Sequence, residues 1–216
     1  MELKGLFIGI DRFESVRIPW LNCAKRDAAA LHALFTDTLG GQTMLLTDQQ
    51  ATRVDIEAQI KALYNCNTDD IVVISFSGHG SDTHELIVYD SNLDDLDYSG
   101  IPLSTLSGWL ANIPSRQLIC ILDCCFSGGM GAKAIQAPHK SRSLNSTQSL
   151  LEQLSGEGRL ILTASAASES AWETTKFGHG LLTYHLLTAM QGAEEVLTGG
   201  RISIYKLLDY VTRRVK

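Results

Sequence analysis

Residues 117–129 have the sequence QLICILDCCFSGG, in which a short apolar run leads directly into a polar turn that ends in glycines. A run of this length, bounded by turn residues, is typical of a strand buried in the middle of a sheet. Comparable apolar segments recur at residues 3–10, 43–46, 71–76, 86–89 and 160–163. Between them lie amphipathic segments that predict helices, at residues 22–39, 52–65 (with Thr52 as N-cap), 103–112, 181–190 and 204–216. The alternation predicts an α/β fold with a mostly parallel central sheet of about six strands and helices on both faces.

The composition excludes several classes of protein. The chain has 216 residues, of which 44% are hydrophobic and 19% charged, as expected for one globular domain. Its formal net charge is −6, from 24 acidic and 18 basic residues, and no basic cluster is present, so we expect no nucleic-acid partner. No apolar run is long enough for a bilayer, and no basic flank precedes an apolar stretch at the N-terminus. We therefore expect no membrane partner and a cytoplasmic location.

The five cysteines do not predict a disulfide framework, because their number is odd and their spacing irregular. This usage is typical of a reducing compartment. The adjacent Cys124 and Cys125 lack the Cys-x-x-Cys spacing of a zinc site, and the histidines outside the turn at residues 77–80 show no metal-ligand spacing. We expect no metal.

Two predicted strands end in unusual turns. Residues 71–76 lead into the sequence SGHG, which contains His79, and residues 117–122 lead into the turn that contains Cys125. In a parallel sheet the carboxyl ends of strands are where sites assemble, and a cysteine nucleophile needs a base such as imidazole. The neighbouring Gly80 would expose its amide as an oxyanion donor. Taken singly, a buried cysteine or a histidine in a turn is more often structural; the pair together favours nucleophilic catalysis.

At this point the residues resemble a known family. The turns SGHG (residues 77–80) and DCCFSG (residues 123–128) are similar to those of the caspase-like cysteine proteases, specifically the metacaspase and bacterial orthocaspase branch. The segments LFIGI (residues 6–10), LNCAKRDA (residues 21–28) and GLLTY (residues 180–184) extend the resemblance over nearly the whole chain. The resemblance implies a caspase-like fold and a cysteine endopeptidase.

Carried over position by position, the resemblance makes His79 the catalytic histidine and Cys125 the nucleophile. The amides of Gly80 and Cys125 match the oxyanion hole. Cys124 stands where relatives have serine or a second cysteine, so we give it no direct role. The chemistry implied is acyl transfer through a thioester, with His79 protonating the leaving amine.

The resemblance also implies a pocket for the residue before the scissile bond. Asp27 and Asp123 match the two acids that line this pocket in metacaspases, and Ser77 and Ser165 are candidates for its walls. Two carboxylates would attract the side chain of arginine or lysine and repel aspartate. From spacing alone, a solvated helix residue is the favoured interpretation of Asp27, and a cap of the following turn is the alternative for Asp123.

Residues 131–156 are polar and without period, which predicts a long mobile loop. It would separate a large-subunit-like segment (residues 1–130) from a small-subunit-like segment (residues 157–216) of one catalytic domain. Lys133, Lys140 and Arg142 lie in this loop and are the candidate sites of autocleavage. The last predicted helix reaches Lys216 without a cap, which leaves a continuation of the natural chain open. We expect a monomer, within a longer multidomain chain if the chain continues.

Two further motifs are weighed against the resemblance. Aspartates cluster at residues 90, 94, 95 and 97, as in oxygen-rich calcium loops, but the stretch GMGA at residues 129–132 lacks the additional acid that calcium-dependent metacaspases use. We expect a solvated acidic loop and no cofactor, with calcium as the alternative. The sequence Gly178-His179-Gly180 repeats the pattern of the active-site turn but precedes a helix, and we interpret it as a loop.

The expected partners are protein or peptide substrates with basic residues. Two other functions stay open at this point. One is a catalytically silent caspase-like interaction module of a larger signalling chain, against which the intact His79 and Cys125 argue. The other is a thiol hydrolase or redox thiol centred on Cys124 and Cys125, against which the lack of a suitably spaced resolving cysteine argues.

Overall fold

The computed structural model describes residues 1–126, 134–135, 158–164, 173–174 and 177–215. Its strands, in chain order, are β1 (Leu3–Gly9), β2 (Gln42–Thr47), β3 (Ile71–Ser77), β4 (Gly80–Ser81), β5 (Glu85–Leu86), β6 (Ile101–Pro102), β7 (Gln117–Asp123), β8 (Ala134–Ile135), β9 (Arg159–Thr163), β10 (Glu173–Thr174), β11 (His179–Gly180), β12 (Leu197–Thr198) and β13 (Arg201–Ile202). The helices are α1 (Ala24–Leu39), α2 (Arg53–Ala62), α3 (Leu96–Ser99), α4 (Leu103–Ala111), α5 (Leu181–Met190) and α6 (Ile204–Val215). Short 3-10 turns lie at Asp48–Gln50, Leu63–Asn65 and Glu194–Val196.

The central sheet has five strands in the described part of the chain, in the order β2-β1-β3-β7-β9. Every neighbouring pair is parallel. Parallel strands need crossover connections, and helices supply them on both faces, so the strands are buried on both sides. The predicted α/β class, with its mostly parallel central sheet covered on both faces, is confirmed.

Two cores, one on each face of the sheet, follow from the alternation of side chains along the strands. On one face Phe7 and Val73 pack with residues of α1, α5 and α6, among them Leu31. On the other face Ile74 packs with residues of α2 and α4, among them Ile60. The sheet is thereby the middle of three layers, and its carboxyl edge is open to the turns that follow the strands.

The helices begin and end close to where the sequence predicts them. In α1 the predicted apolar stripe is buried, from Ala24 to Phe35. Thr52 is the N-cap of α2, as predicted: its side chain accepts a hydrogen bond from the Asp55 amide at 3.2 Å. This bond satisfies one of the amides that a helix N-terminus leaves without a partner.

The predicted strand at residues 86–89 is confirmed only at Leu86. Only Glu85–Leu86 form a strand there, and it belongs to a small separate sheet of β4, β5, β6 and β8. Ile87 and Val88 are fully buried without pairing in the central sheet. A short apolar run signals burial, and its length does not distinguish a strand from a buried turn. The central sheet therefore has five described strands where about six were expected.

The predicted loop at residues 131–156 lies outside the described residues except for β8, and so do the segment boundaries at residues 130 and 157. In the part of the chain that is described, no helix combines the length and apolar character needed to cross a membrane.

Candidate active site

The predicted catalytic residues follow two neighbouring strands. In the ladder between β3 and β7, Ser77 lies opposite Asp123, and the Gly78 amide approaches the Asp123 carbonyl at 3.4 Å. His79 and Cys125 each lie two residues beyond this pair. Because both strands run in the same direction, the two turns leave the sheet at the same edge.

A close backbone approach brings these turns into contact. A Cβ atom at Gly80 would lie 2.6 Å from the carbonyl oxygen of Cys125 and 2.9 Å from the Phe126 ring. Real Cβ atoms do not come this near to a backbone oxygen, so this position requires glycine. The residue after His79 therefore packs directly on the backbone of Cys125.

His79 is buried, and its orientation is set by the backbone of a distant loop. Its Nε2 lies 2.8 Å from the carbonyl oxygen of Pro19, and its ring packs on Phe13 with centroids 5.4 Å apart. Since a carbonyl oxygen only accepts hydrogen bonds, Nε2 carries the proton. Nδ1 is then the basic nitrogen of the neutral ring.

Cys124 and Cys125 are both fully buried, on opposite faces of the sheet. Cys124 packs in the core beside α2 and α4, and Cys125 in the core beside α1 and α5. This is the alternation of β7 continued past its end. Cys125 thus lies on the side of the sheet that carries Asp27.

Two ionisable groups near the turn that contains Cys124 and Cys125 have shifted pKa values. Burial raises the pKa of Cys120, in β7 itself, to about 12, so this thiol stays protonated. Burial lowers the pKa of His84, whose ring lies 6.2 Å from the Phe126 ring. The low pKa favours the neutral imidazole, so His84 adds no positive charge beside the turn near neutral pH.

Asp27 is fully buried in the first turn of α1, and hydrogen-bond donors surround its carboxylate. Ser77 Oγ donates to Oδ2 at 3.1 Å, and His179 Nδ1 lies 2.7 Å from Oδ1. The Gly180 amide lies 3.1 Å from Oδ2 and 3.3 Å from Oδ1. The alternative of a solvated helix residue is therefore wrong for Asp27.

Asp123 is also buried, and it lies against Gly180, the same glycine whose amide is bonded to Asp27. Asp123 Oδ2 accepts hydrogen bonds from Thr183 Oγ1 at 2.6 Å and from the Thr183 amide at 3.1 Å. A Cβ atom at Gly180 would lie 2.6 Å from the same Oδ2. Because the Gly180 amide also binds Asp27, both acids converge on the start of α5.

The interpretation of residues 178–180 as a loop is wrong. His179 and Gly180 form β11, which pairs antiparallel with Glu173–Thr174. The Arg26 guanidinium, adjacent to Asp27, donates to the Gly178 carbonyl at 2.9 Å. The segment docks on α1 because glycine at position 180 leaves room for both carboxylates.

Sequence reasoning missed three contributors to this site: the Pro19 carbonyl, the His179 ring and the paired donors of Thr183. The flanking glycines were the available signal for His179, since the same pattern surrounds His79. No local signal marks Pro19 or Thr183, whose contacts span 60 residues each.

Of the remaining predicted site residues, Ser77 is buried and bonded to Asp27 as described. Ser165, Lys133, Lys140 and Arg142 lie outside the described residues. The roles of all these residues stay predictions.

The acidic cluster at residues 90–97 is engaged in structural contacts. Asp94 accepts two hydrogen bonds from the Arg17 guanidinium, at 2.7 and 3.2 Å, and Asp90 accepts one from the Arg53 amide at 3.0 Å. Asp95 lies at the N-cap of α3. Among the described residues no group of three or more histidine, cysteine or acidic side chains is arranged to hold a metal ion.

Comparison with curated proteins finds no match. Among solved structures, the chain is similar to the crystal structure of protein GSU0716 from Geobacter sulfurreducens, with a TM-score of 0.72 and 17% sequence identity. The match covers 99% of this chain and 89% of that one, and at this identity it shows the fold alone. The family model of the caspase domain, a peptidase family, matches residues 4–216. The histidine and cysteine turns at one edge of a parallel sheet, together with this match over nearly all residues, show that the chain belongs to the caspase-domain family of cysteine peptidases.

Proposed function

We propose that this protein is a cysteine endopeptidase that hydrolyses peptide bonds after arginine or lysine, with Cys125 as nucleophile and His79 as base. The contact of Gly80 with the carbonyl of Cys125 is the observation that carries the proposal. It brings the histidine turn against the cysteine turn, which is the first requirement for proton transfer between the two side chains.

The proposed reaction is acyl transfer. His79 Nδ1 takes the thiol proton, and the Cys125 sulfur forms a bond to the substrate carbonyl carbon while the carbonyl electron pair moves to oxygen. The amides of Gly80 and Cys125 stabilise that oxyanion. Collapse breaks the carbon–nitrogen bond, and the amine leaves with the proton from His79. Water, deprotonated by the same histidine, then hydrolyses the thioester and returns the thiol.

The Pro19 carbonyl supports this assignment of roles. By accepting the proton of Nε2 it favours the tautomer in which Nδ1 is basic, and it stabilises the imidazolium formed after proton transfer. A backbone carbonyl here does the orienting that an acid does in a triad. No third side chain is needed.

The preference for basic residues rests on the pair of buried acids. Asp27 and Asp123 converge on Gly180, on the same face of the sheet as Cys125. Two carboxylates beside the nucleophile favour a guanidinium or ammonium group, and arginine has the geometry for paired hydrogen bonds. Ser77 and Ser165 complete the proposed walls.

We extend the proposal to autoprocessing after Lys133, Lys140 or Arg142, and to a monomeric cytoplasmic enzyme without a cofactor. The peptide bonds after these basic residues match the proposed substrate preference, so the enzyme could cleave its own chain there. The partners are then proteins or peptides with basic residues.

The test is hydrolysis of four peptide substrates that differ only in ending in Arg, Lys, Asp or Leu before the reporter group. Wild type is compared with Cys125→Ala, with His79→Ala and with Cys124→Ala as the matched control, each with calcium and with chelator. We expect cleavage after Arg and Lys, and a fall in kcat/KM of more than about 100-fold for the first two variants. Cys124→Ala should retain activity, because this buried side chain faces the other core.

Three outcomes contradict parts of the proposal. Equal activity of Cys125→Ala and wild type would show that Cys125 is not the nucleophile. Cleavage after Asp in place of Arg would show that Asp27 and Asp123 do not form the pocket for the residue before the scissile bond. Silence of folded wild type with all four peptides, with and without calcium, favours the interaction module.

A further inference from the structure

The carboxylate of Asp27 has no acceptor position left for a substrate. A carboxylate accepts about four hydrogen bonds. Here Ser77 Oγ, His179 Nδ1 and the Gly180 amide, which is shared between both oxygens, already occupy those positions. An arginine guanidinium binds a carboxylate through two parallel N–H···O bonds, one to each oxygen. It cannot do so while the imidazole holds Oδ1.

Of these described donors, His179 is the one that is partly exposed to solvent. Its side chain is 20% exposed, whereas the Asp27 side chain is 0% exposed. Ser77 and Gly180 are buried. Among the described contacts of Asp27, the imidazole is therefore the one that solvent reaches.

The ring is also the part of this segment that can move most easily. The Gly180 amide is bonded to Asp27, and its α-carbon packs against Asp123 without room for a Cβ atom. The Gly178 carbonyl is held by Arg26. The backbone on both sides of His179 is thus fixed, while rotation about the side-chain bonds of His179 breaks one hydrogen bond and leaves these contacts in place.

We propose that His179 is the gate of the basic-residue pocket: its imidazole holds Asp27 Oδ1 and swings away when an arginine or lysine side chain takes its place. This proposal rests on the proposed function, since it names a specificity-determining residue of the same site. The gate imposes a cost on every basic substrate, so a substrate side chain must replace the histidine bond with stronger ones. A guanidinium, with two bonds to offer, meets this requirement better than an ammonium group.

The test measures binding directly, independently of catalysis. Agmatine, which carries the side chain of arginine, is titrated by calorimetry into wild type, His179→Ala, His179→Asn and His32→Ala. His179→Ala should bind agmatine about tenfold more tightly than wild type, because one charge-assisted hydrogen bond no longer has to be broken. In His179→Asn the amide nitrogen replaces Nδ1 as donor to Asp27, so its affinity should stay near that of wild type.

His32→Ala is the matched control, because it removes a half-buried histidine that is bonded to Thr43 at 3.0 Å and packs on Phe7, away from both acids. Its affinity for agmatine should equal that of wild type. In peptide assays, His179→Ala should lower KM for the Arg substrate and narrow the preference for Arg over Lys, with kcat nearly unchanged. A purely structural role would lower kcat for all substrates together.

Unchanged or weaker agmatine binding by His179→Ala overturns the gate. The absence of agmatine binding by every variant also overturns it. So does an equal gain in agmatine affinity in His179→Ala and His179→Asn. If the alanine variant does not fold, His179→Ser replaces it with the same expectation; failure of both to fold also overturns the gate, which must move without unfolding the chain. The protease proposal fails separately. Tight agmatine binding by His179→Ala without Cys125-dependent hydrolysis would support the gate and contradict the proposed peptidase activity.

Discussion

Thr183 donates two hydrogen bonds to a single oxygen of Asp123, from its hydroxyl at 2.6 Å and from its amide at 3.1 Å. The two residues are 60 positions apart in the chain, and both are buried. The bonds tie the first turn of α5 to the end of β7, two residues before Cys125. Asp123 therefore joins the turn that contains Cys125 to the segment that carries His179.

The hydroxyl of Thr183 should contribute measurably to the free energy of unfolding. Thr183→Val preserves shape and leaves the amide bond but removes the hydroxyl donor from a buried carboxylate. We expect a loss of about 1–3 kcal/mol in urea unfolding. Thr183→Ser, which keeps a hydroxyl, should lose clearly less, and equal losses for Val and Ser would show that the methyl group matters more than the bond.

A methyl group at position 80 should disable the site without unfolding the chain. The Cβ atom of Gly80→Ala would lie 2.6 Å from the Cys125 carbonyl, so one of the two turns must shift. A displacement of this size at the reacting groups lowers kcat/KM by about 100-fold. The assay is hydrolysis of the preferred peptide, with circular dichroism to check the fold.

The matched control for that variant is Gly108→Ala in α4, where an added Cβ atom meets nothing within 4 Å. It should leave kcat/KM unchanged and raise stability by about 0.5–1 kcal/mol, because alanine favours the helix. Full activity of Gly80→Ala would mean that the close approach of the two turns is not needed for catalysis.

Asp70 should make the fold sensitive to acid. Its buried carboxylate accepts hydrogen bonds from the Asn67 and Glu2 amides, each at 2.9 Å, and these bonds lower its pKa. A carboxyl group with a lowered folded-state pKa stabilises the fold above its unfolded pKa of about 4, and that contribution is lost as the pH falls through the folded pKa. Asp70→Asn should therefore have a lower Tm than wild type at pH 7.

The difference in Tm between wild type and Asp70→Asn should shrink as the pH is lowered below about 4. Thermal unfolding monitored across this range gives the comparison. Asp69→Asn, at the exposed neighbouring position, should follow wild type throughout. A difference between wild type and Asp70→Asn that stays constant with pH would rule out ionisation of Asp70 as its source.

Autoprocessing should depend on the nucleophile and follow basic residues. Intact mass spectrometry of purified wild type after incubation should show fragments that end at Lys133, Lys140 or Arg142, and Cys125→Ala should stay whole. A triple substitution of these residues by Gln should also stay whole. Cleavage of Cys125→Ala at the same rate would point to a contaminating protease, and an intact wild type that hydrolyses peptides would remove autoprocessing from the function.

Much of the fold was predictable because its signals are local. Apolar runs bounded by turn residues predicted β1, β3 and β7, and the stripe from Ala24 to Phe35 predicted α1. The same signal failed at residues 86–89, since Ile87 and Val88 are buried but lie outside the strands of the central sheet. Burial and strand pairing give the same short pattern, and only the neighbours in space distinguish them.

The candidate site was predictable where its residues lie at the ends of strands, and it was missed where its contacts come from elsewhere. His79 and Cys125 follow strong strands, and the resemblance to a family supplied Asp27 and Asp123. His179 lies 152 residues from Asp27, in a segment whose sequence pattern predicts a loop. The Pro19 carbonyl is a backbone group that any residue would present, so the residue type at this position gives no signal of the contact.

The sequence by itself determined the alternation of strands and helices and the two turns that carry histidine and cysteine, because periodicity and turn residues act over a few positions. Only the tertiary structure decided that Asp27 is bonded to His179, that Asp123 is bonded to Thr183 and that both acids converge on Gly180. Hydrogen bonds between buried groups depend on which surfaces pack together. That packing is a property of the whole chain, so these hydrogen bonds cannot be predicted from any short segment of the sequence.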